Sequence, residues 1–233
     1  MAVGAEHPER HIAGGDIVRD LILGMSDGLT TPFALAAGLV GASTTNLLVV
    51  IGGLAEITAG SISMGLGGYL AAQSQAETYR SELAREMHET EVMPAEERAE
   101  VWRIFRNYGL RGRALEQATS AVTAERDAWV RFMMREELGF NENLLDSPIR
   151  SAFAVGMSYL AGAAVPVWPY VFFAPGRGIV VSAISTVLVL FAVGAAKTII
   201  TSRSWWKSGF ESMLTGVAAA AVTYGAGRLF ATR

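Results

Sequence analysis

The sequence predicts an all-α, multi-pass membrane protein in which five transmembrane helices flank a cytosolic three-helix domain along the chain. Two observations carry this prediction. Only 18% of the 233 residues are charged, whereas soluble domains carry about 25%. The charges are also concentrated, because residues 76–150 hold 15 of the 22 acidic and 11 of the 19 basic side chains. Two apolar blocks therefore enclose one water-facing block.

The composition also excludes several classes of protein. The chain has no cysteine, which excludes a disulfide-stapled domain and a cysteine-ligated zinc or iron–sulfur site. A net charge of −3 gives no basic field for nucleic acid. The sequence contains no nucleophile elbow, P-loop or dinucleotide-binding fingerprint. We therefore predict neither an enzyme nor an organic cofactor.

Five segments are apolar enough for the roughly 20 residues that a bilayer-spanning helix needs. The fifth is the weakest, since it is alanine-rich and begins close to Glu211. The chain is accordingly divided into a cytosolic tail (1–20), two spans (21–75), a cytosolic domain (76–149) and three spans (150–233). The predicted spans are 21–41, 46–72, 151–173, 178–200 and 209–230.

Basic residues set the orientation of these spans. With five crossings, one side of the membrane receives 16 of the 19 basic side chains and the other side receives three. This places the N-terminus and residues 76–149 in the cytosol and the C-terminus on the opposite side. The first 20 residues are acidic and contain no apolar core, so they do not predict a secretory signal.

The charged domain is predicted to contain three helices. Residues 74–92 continue the second span as a helix that ends at Pro94. The next helix begins there and ends at Gly109, and the third runs over 112–138 and ends at Gly139. The second of these helices has an apolar face with helical spacing, formed by Val101, Ile104, Phe105 and Tyr108.

Two acidic residues, Asp27 and Glu56, interrupt the first and second predicted spans. Each costs at least about 2.5 kcal/mol at the middle of a bilayer, so each should face a protein interior or a wet cavity. One interpretation is a structural hydrogen bond between helices, and the other is a cation or proton site. Gly28 and Pro32 favour the second, because a kink frees backbone carbonyls as ligands. Met64 shares a helix face with Glu56 and adds a thioether.

The cytosolic acids form pairs three residues apart, and each pair projects from one side of its helix. Facing carboxylates of this kind build metal sites in helical bundles. The alternative is that they are solvated acids that pair with Arg85, Arg98 or Arg135. The candidate ligands are Glu86, Glu89, Glu97, Glu100 and Glu137, together with Met133 and Met134.

At these motifs the sequence resembles the vacuolar iron transporter family, which has bacterial members. The resemblance is most specific in the first two spans and continues through the acidic domain, and it fades to a shared hydropathy over 151–233. It is carried by Arg19-Asp20, by SDGLT-x-PFALAAGL at 26–39, by GLAE at 53–56, by AGSISMGLGGYLA at 59–71 and by FMM-x-x-ELG at 132–139.

The resemblance implies a homodimeric, five-span exporter of Fe²⁺ that is coupled to protons, with Mn²⁺, Co²⁺ and Zn²⁺ as lesser substrates. Its partners would be Fe²⁺, protons and membrane lipid. Asp27 and Met64 would line the ion path at the dimer interface, with Glu56 important there. The acidic and methionine side chains of the central domain would bind metal. A different class remains open, a membrane-anchored metal sensor or storage protein that does not transport.

The location of the protein is suggested only by composition. Arginine outnumbers lysine 17 to 2, and the chain is rich in alanine and glycine. This is typical of a GC-rich bacterial genome and favours a bacterial plasma membrane, with a vacuolar membrane as the alternative.

Overall fold

The computed structural model describes residues 15–43, 45–140, 147–199, 201 and 203–231, and every regular element in this part of the chain is helical. Apart from a short 3₁₀ turn at Lys197–Ile199, the elements are α-helices. They are α1 (Gly15–Gly41), α2 (Asn46–Val92), α3 (Pro94–Asn107), α4 (Gly112–Val122), α5 (Arg126–Glu136), α6 (Pro148–Val167), α7 (Pro169–Phe172), α8 (Pro175–Ala196) and α9 (Trp205–Ala231).

Several helix ends follow from single residues. Pro94 is the first residue of α3, where the missing N–H costs nothing. Gly109 follows α3 with a φ of 95° and Gly139 follows α5 with a φ of 71°, a left-handed conformation that glycine adopts without strain. These three boundaries were predicted from the sequence. Helix α1 begins at Gly15, within the predicted tail, and residues 1–14 lie outside the described part.

The predicted third helix of the charged domain, 112–138, is wrong. The structure divides it into α4 and α5, with Glu125 in an extended conformation at φ −123° and ψ 125°. Thr123 ends α4, and its hydroxyl donates to the carbonyl of Thr119 and accepts a hydrogen bond from Arg98. A threonine hydroxyl that bonds backbone and neighbouring side chains in this way competes with continuation of the helix.

Three of the described helical segments are long and apolar enough to cross a membrane, namely 46–92, 148–172 and 176–199. They coincide with the second, third and fourth predicted spans. Helices α1 and α9 lie where the first and fifth spans were predicted, and those two crossings stay predictions.

The chain divides into two compact units. The membrane unit comprises the described parts of 1–69 and 148–233, and the central unit comprises those of 70–147. Helix α1 is the centre of the membrane unit, because it packs against α6, α8 and α9. Leu29, Phe33 and Ala36 of this helix are buried.

Contacts within the membrane unit set the relative directions of its helices. Helices α6 and α9 run parallel to α1, the membrane part of α2 is antiparallel to α6, and α8 is antiparallel to α9. For α1 with α6 the contacts are Asp20 with Ser151 and Gly28 with Tyr159, and for α1 with α9 they are Ala34 with Thr223 and Ala42 with Gly227. For α2 with α6 they are Gly53 with Val167 and Gly68 with Ser151. For α8 with α9 they are Gly194 with Ser208 and Leu190 with Gly216.

The central unit has two small apolar cores. One is built around Tyr79, Val130 and Met134, and the other around Val101, Trp129 and Met133. The predicted apolar face of α3 holds for Val101, Ile104 and Phe105, which lie in or against the second core. It is wrong for Tyr108, which is 61% exposed because it follows the last turn of α3, and whose hydroxyl donates to Glu136.

Candidate metal sites

Asp27 lies in α1 on the turn before Pro32, which has no N–H to donate to the helix. The side chain is half-buried. The hydroxyl of Thr31 lies 3.3 Å from Asp27 Oδ1 and donates to it, a long bond between residues four apart. A carboxylate with one such contact keeps lone pairs available for a cation or a proton.

Glu56 is held by a residue that was not singled out in the sequence. Tyr159 of α6 is 1% exposed, and its hydroxyl donates to Glu56 Oε1 at 2.9 Å. Gly28, the residue after Asp27, packs against the backbone of the same tyrosine. Both span acids therefore lie on helices that contact Tyr159, and Glu56 is hydrogen-bonded to it. A buried tyrosine hydroxyl needs a hydrogen-bond partner, but the burial of Tyr159 is visible only in the structure.

Gly60 makes room for this tyrosine. A Cβ at that position would lie 2.3 Å from Tyr159 Oη and 2.4 Å from its Cζ, so any side chain would displace the ring. Met64 lies eight residues beyond Glu56 on α2, about 12 Å along the axis. The neighbouring Gly65 lies beside Ala152 of α6. Met64 is thus on the same helix as Glu56 but at a different depth.

A further carboxylate of the membrane unit is buried where α6 begins. Asp20 is 4% exposed and accepts a hydrogen bond from the hydroxyl of Ser151. The guanidinium of Arg19 lies 3.7 Å from its other oxygen. Its two partners explain how this charge is tolerated, and we assign it no part in the ion path.

The central unit contains two buried glutamates, Glu86 at 2% and Glu97 at 5% exposure. The Oε2 atom of each has no hydrogen-bond partner among the residues that the structure describes. Burial, and then the negative charges of neighbouring glutamates, raise the pKa of each carboxyl from 4.5 to about 7. Two glutamates predicted as ligands therefore lie together in a setting that a bound cation would stabilise.

The other predicted acids surround this pair. Loss of solvation raises the pKa of Glu137, and so do the charge of Glu100 and a hydrogen bond to it. The charge of Glu89 acts on both Glu86 and Glu97. The structure therefore brings together all five predicted carboxylates, although in the described residues no three His, Asp or Glu groups have the geometry to hold a metal ion as they stand.

The two predicted methionine ligands lie in the apolar cores of the central unit, and their role as ligands stays a prediction. Met133 is fully buried and Met134 is 3% exposed, each in one of the two apolar cores. Their backbone carbonyls cap the end of α5, because the amide N–H groups of Glu137 and Leu138 donate to Met133 and that of Phe140 to Met134. His88 is exposed.

Comparison with known proteins places these residues in a family. The VIT family model matches residues 18–228. The chain is 42% identical over 221 residues to vacuolar iron transporter 1 of Eucalyptus grandis, covering 94% of this chain and 89% of that protein. Vacuolar iron transporter 1 of Oryza sativa is 42% identical over 228 residues, 97% of this chain and 90% of that one. Protein CCC1 of Saccharomyces cerevisiae is 35% identical over 187 residues, which cover 78% of this chain and 57% of that protein.

Proposed function

The chain belongs to the VIT family, and from this premise we propose that it moves Fe²⁺ out of the cytosol in exchange for protons, with Mn²⁺, Co²⁺ and Zn²⁺ as further substrates. Relatives that are named vacuolar iron transporters support iron as the cargo. The observation that carries the proposal is that the helices of Asp27 and Glu56 both pack on Tyr159, whose hydroxyl donates to Glu56 and whose backbone lies against Gly28, the residue after Asp27.

The coupling follows from the chemistry of carboxylates. Asp27 and Glu56 bind a divalent cation when both are ionised, and they release it when protons take its place. Because a carboxyl oxygen that holds a proton is no longer a charged ligand for the cation, the two occupants exclude each other. Fe²⁺ is first collected by the glutamates of the central unit, passes along a path lined by Asp27, Glu56 and Met64, and leaves on the opposite side.

The proposed topology has five spans, with the N-terminus and the acidic domain of 76–149 in the cytosol. The helix directions support it, because α1, α6 and α9 run one way while α8 and the membrane part of α2 run the other. Five successive crossings require this alternation. A bacterial plasma membrane remains the favoured location.

We propose a homodimer that meets along α2. Small side chains recur at every fourth residue on one face of this helix and are all exposed, so a second helix could approach closely there. In the membrane-spanning part of α2 only 11% of the residues are buried. The small exposed residues are Ala55, Ala59, Ser63 and Gly67.

Transport into liposomes tests the proposed function. With a pH gradient imposed, Asp27→Asn and Glu56→Gln should each reduce metal uptake at least about 100-fold, because each removes a charge that the cation needs. Glu211→Gln is the matched control, since this acid is exposed and forms an exposed ion pair with Arg203, 3.4 Å away. Full uptake by both pathway variants would refute the assignment.

The second candidate function is a membrane-anchored metal sensor or storage protein. The grouping of the five glutamates of the central unit favours it, but it does not explain two carboxylates within the membrane unit. Wild-type protein in liposomes separates the two functions. Metal that binds in a saturable way and never enters the vesicle lumen would support the sensor.

A further inference from the structure

Two of the proposed metal ligands are held by arginines. Arg103 Nη2 lies 2.5 Å from Glu100 Oε1. Arg85 Nε lies 3.6 Å from Glu89 Oε2, and its Nη2 lies 2.7 Å from the Oε2 of Glu82. Both guanidinium side chains are more than half exposed, at 62% and 52%. They can therefore leave the carboxylates for water without a rearrangement of the helices.

The same two arginines act on the remaining acids. The positive charge of Arg85 acts on Glu86, and the charges of both arginines act on Glu137. Glu86 and Glu97 differ from Glu89 and Glu100, because each has a buried oxygen with no hydrogen-bond partner in the described part of the chain. The cluster thus has a buried pair of carboxylates that is open to a cation, and an outer pair, Glu89 and Glu100, that already lies beside two guanidinium cations.

We propose that Arg85 and Arg103 are built-in competitors of the metal ion that set its affinity at the central unit. This inference rests on the proposed metal site. An ion that recruits Glu89 or Glu100 must first break a guanidinium–carboxylate pair, and it then lies near the displaced positive charge. Both effects weaken metal binding and speed metal release. Weak binding and fast release are properties of a site that transfers metal and not of a site that stores it.

The size of the effect follows from the exposure of the pairs. An exposed ion pair is worth at most about 1 kcal/mol, which corresponds to about fivefold in Kd. Removal of one arginine should therefore tighten metal binding by up to about fivefold, and removal of both by up to about 25-fold. A purely structural role predicts the opposite sign, because loss of an ordering contact would weaken binding.

The test is calorimetric titration of the full chain in detergent with Co²⁺ and with Mn²⁺. Arg85→Gln, Arg103→Gln and the double variant should bind more tightly than wild type, while the charge-preserving Arg85→Lys with Arg103→Lys should stay close to wild type. Arg131→Gln is the control, since this exposed arginine of α5 is not among the charges that act on Glu86, Glu97 or Glu137. Chelator-induced release should be slower in the double Gln variant by the same factor.

Unchanged or weaker binding by the double Gln variant would overturn the inference, and so would equal tightening by the Lys variant. Failure of the metal site itself looks different. In that case wild type shows no saturable binding, or Glu86→Gln with Glu97→Gln leaves the titration unaltered. Hydrogen exchange across α3 and α5 confirms that each variant retains a folded central unit.

Discussion

The two units treat their carboxylates in opposite ways. In the membrane unit Glu56 accepts a hydrogen bond from Tyr159 and Asp27 accepts one from Thr31. In the central unit Glu86 and Glu97 are more deeply buried, yet one oxygen of each has no partner. Among the residues that the structure describes, hydroxyls accompany the first pair and other acids accompany the second.

The difference reflects what each environment tolerates. An unpaired charge inside a membrane is too costly to keep without a partner, so the helices supply hydroxyls. In the central unit the pair is stabilised by partial protonation, since burial and neighbouring acids raise the pKa of Glu86 to about 7. Oxygens that no protein group satisfies are the ones a metal ion can take. The hydrogen-bonded carboxylates of the membrane unit favour exchange of a proton and a cation in a fixed geometry. The unpartnered carboxylates of the central unit favour binding of a metal ion.

The largest effect is expected from breaking the fixed geometry of the membrane unit. Gly60→Val should abolish transport, because its Cβ alone would lie 2.3 Å from Tyr159 Oη and the ring would have to leave Glu56. Gly225→Val is the matched control, since a Cβ at this glycine of α9 meets no atom within 4 Å. Metal uptake into liposomes is the measurement, and normal uptake by the Gly60 variant would show that the tyrosine is not held there.

A smaller effect is expected when only the hydrogen bond is removed. Tyr159→Phe keeps the ring but leaves Glu56 without its donor, a loss of about 1.5–2 kcal/mol for a bond to a charged group. Transport should fall about 10- to 30-fold, because the carboxylate loses a hydrogen bond that holds it in place. Tyr224→Phe, at a partly exposed position of α9, should transport normally. Unchanged transport by Tyr159→Phe would contradict the role of Tyr159.

In the central unit the expected effect is on stability and depends on pH. Glu86 and Glu97 have a pKa of about 7 in the folded unit against 4.5 in the unfolded chain. Their stabilising contribution is therefore complete below pH 4.5 and is lost as the pH rises through 7. With chelator present, hydrogen-exchange protection of α3 and α5 should fall between pH 5 and pH 8. It should fall less in Glu86→Gln with Glu97→Gln.

The control for this pH dependence is Glu116→Gln. Glu116 is 63% exposed in its side chain and lies 3.7 Å from Arg98, so its removal should leave the wild-type slope in place. If the double variant and wild type lose protection equally with pH, the buried glutamates are not its source. Added Co²⁺ should restore protection at pH 8 in wild type and not in the double variant.

What the sequence could predict follows from the range of each signal. Pro94, Gly109 and Gly139 act on their own backbone, and the helix boundaries they set were predicted correctly. The break at Thr123 was missed, and one of the contacts of its hydroxyl is with Arg98, 25 residues away, which no local pattern reports. The bond from Tyr159 to Glu56 joins residues 103 apart, and no local pattern reports it. Helical spacing correctly grouped Glu86 with Glu89, but it could not show that one is buried and the other paired with Arg85.

The smallest effect is expected at Thr31, and its size measures how much Asp27 depends on a hydrogen-bond partner. The Thr31 hydroxyl lies 3.3 Å from Asp27 Oδ1, a long separation for a bond between two oxygens, so the bond contributes little. Thr31→Val should reduce transport no more than about threefold. A loss as large as that of Tyr159→Phe would mean that Asp27, like Glu56, depends on a fixed donor. A small loss would mean that Asp27 is the more freely solvated of the two and the better placed to exchange its proton.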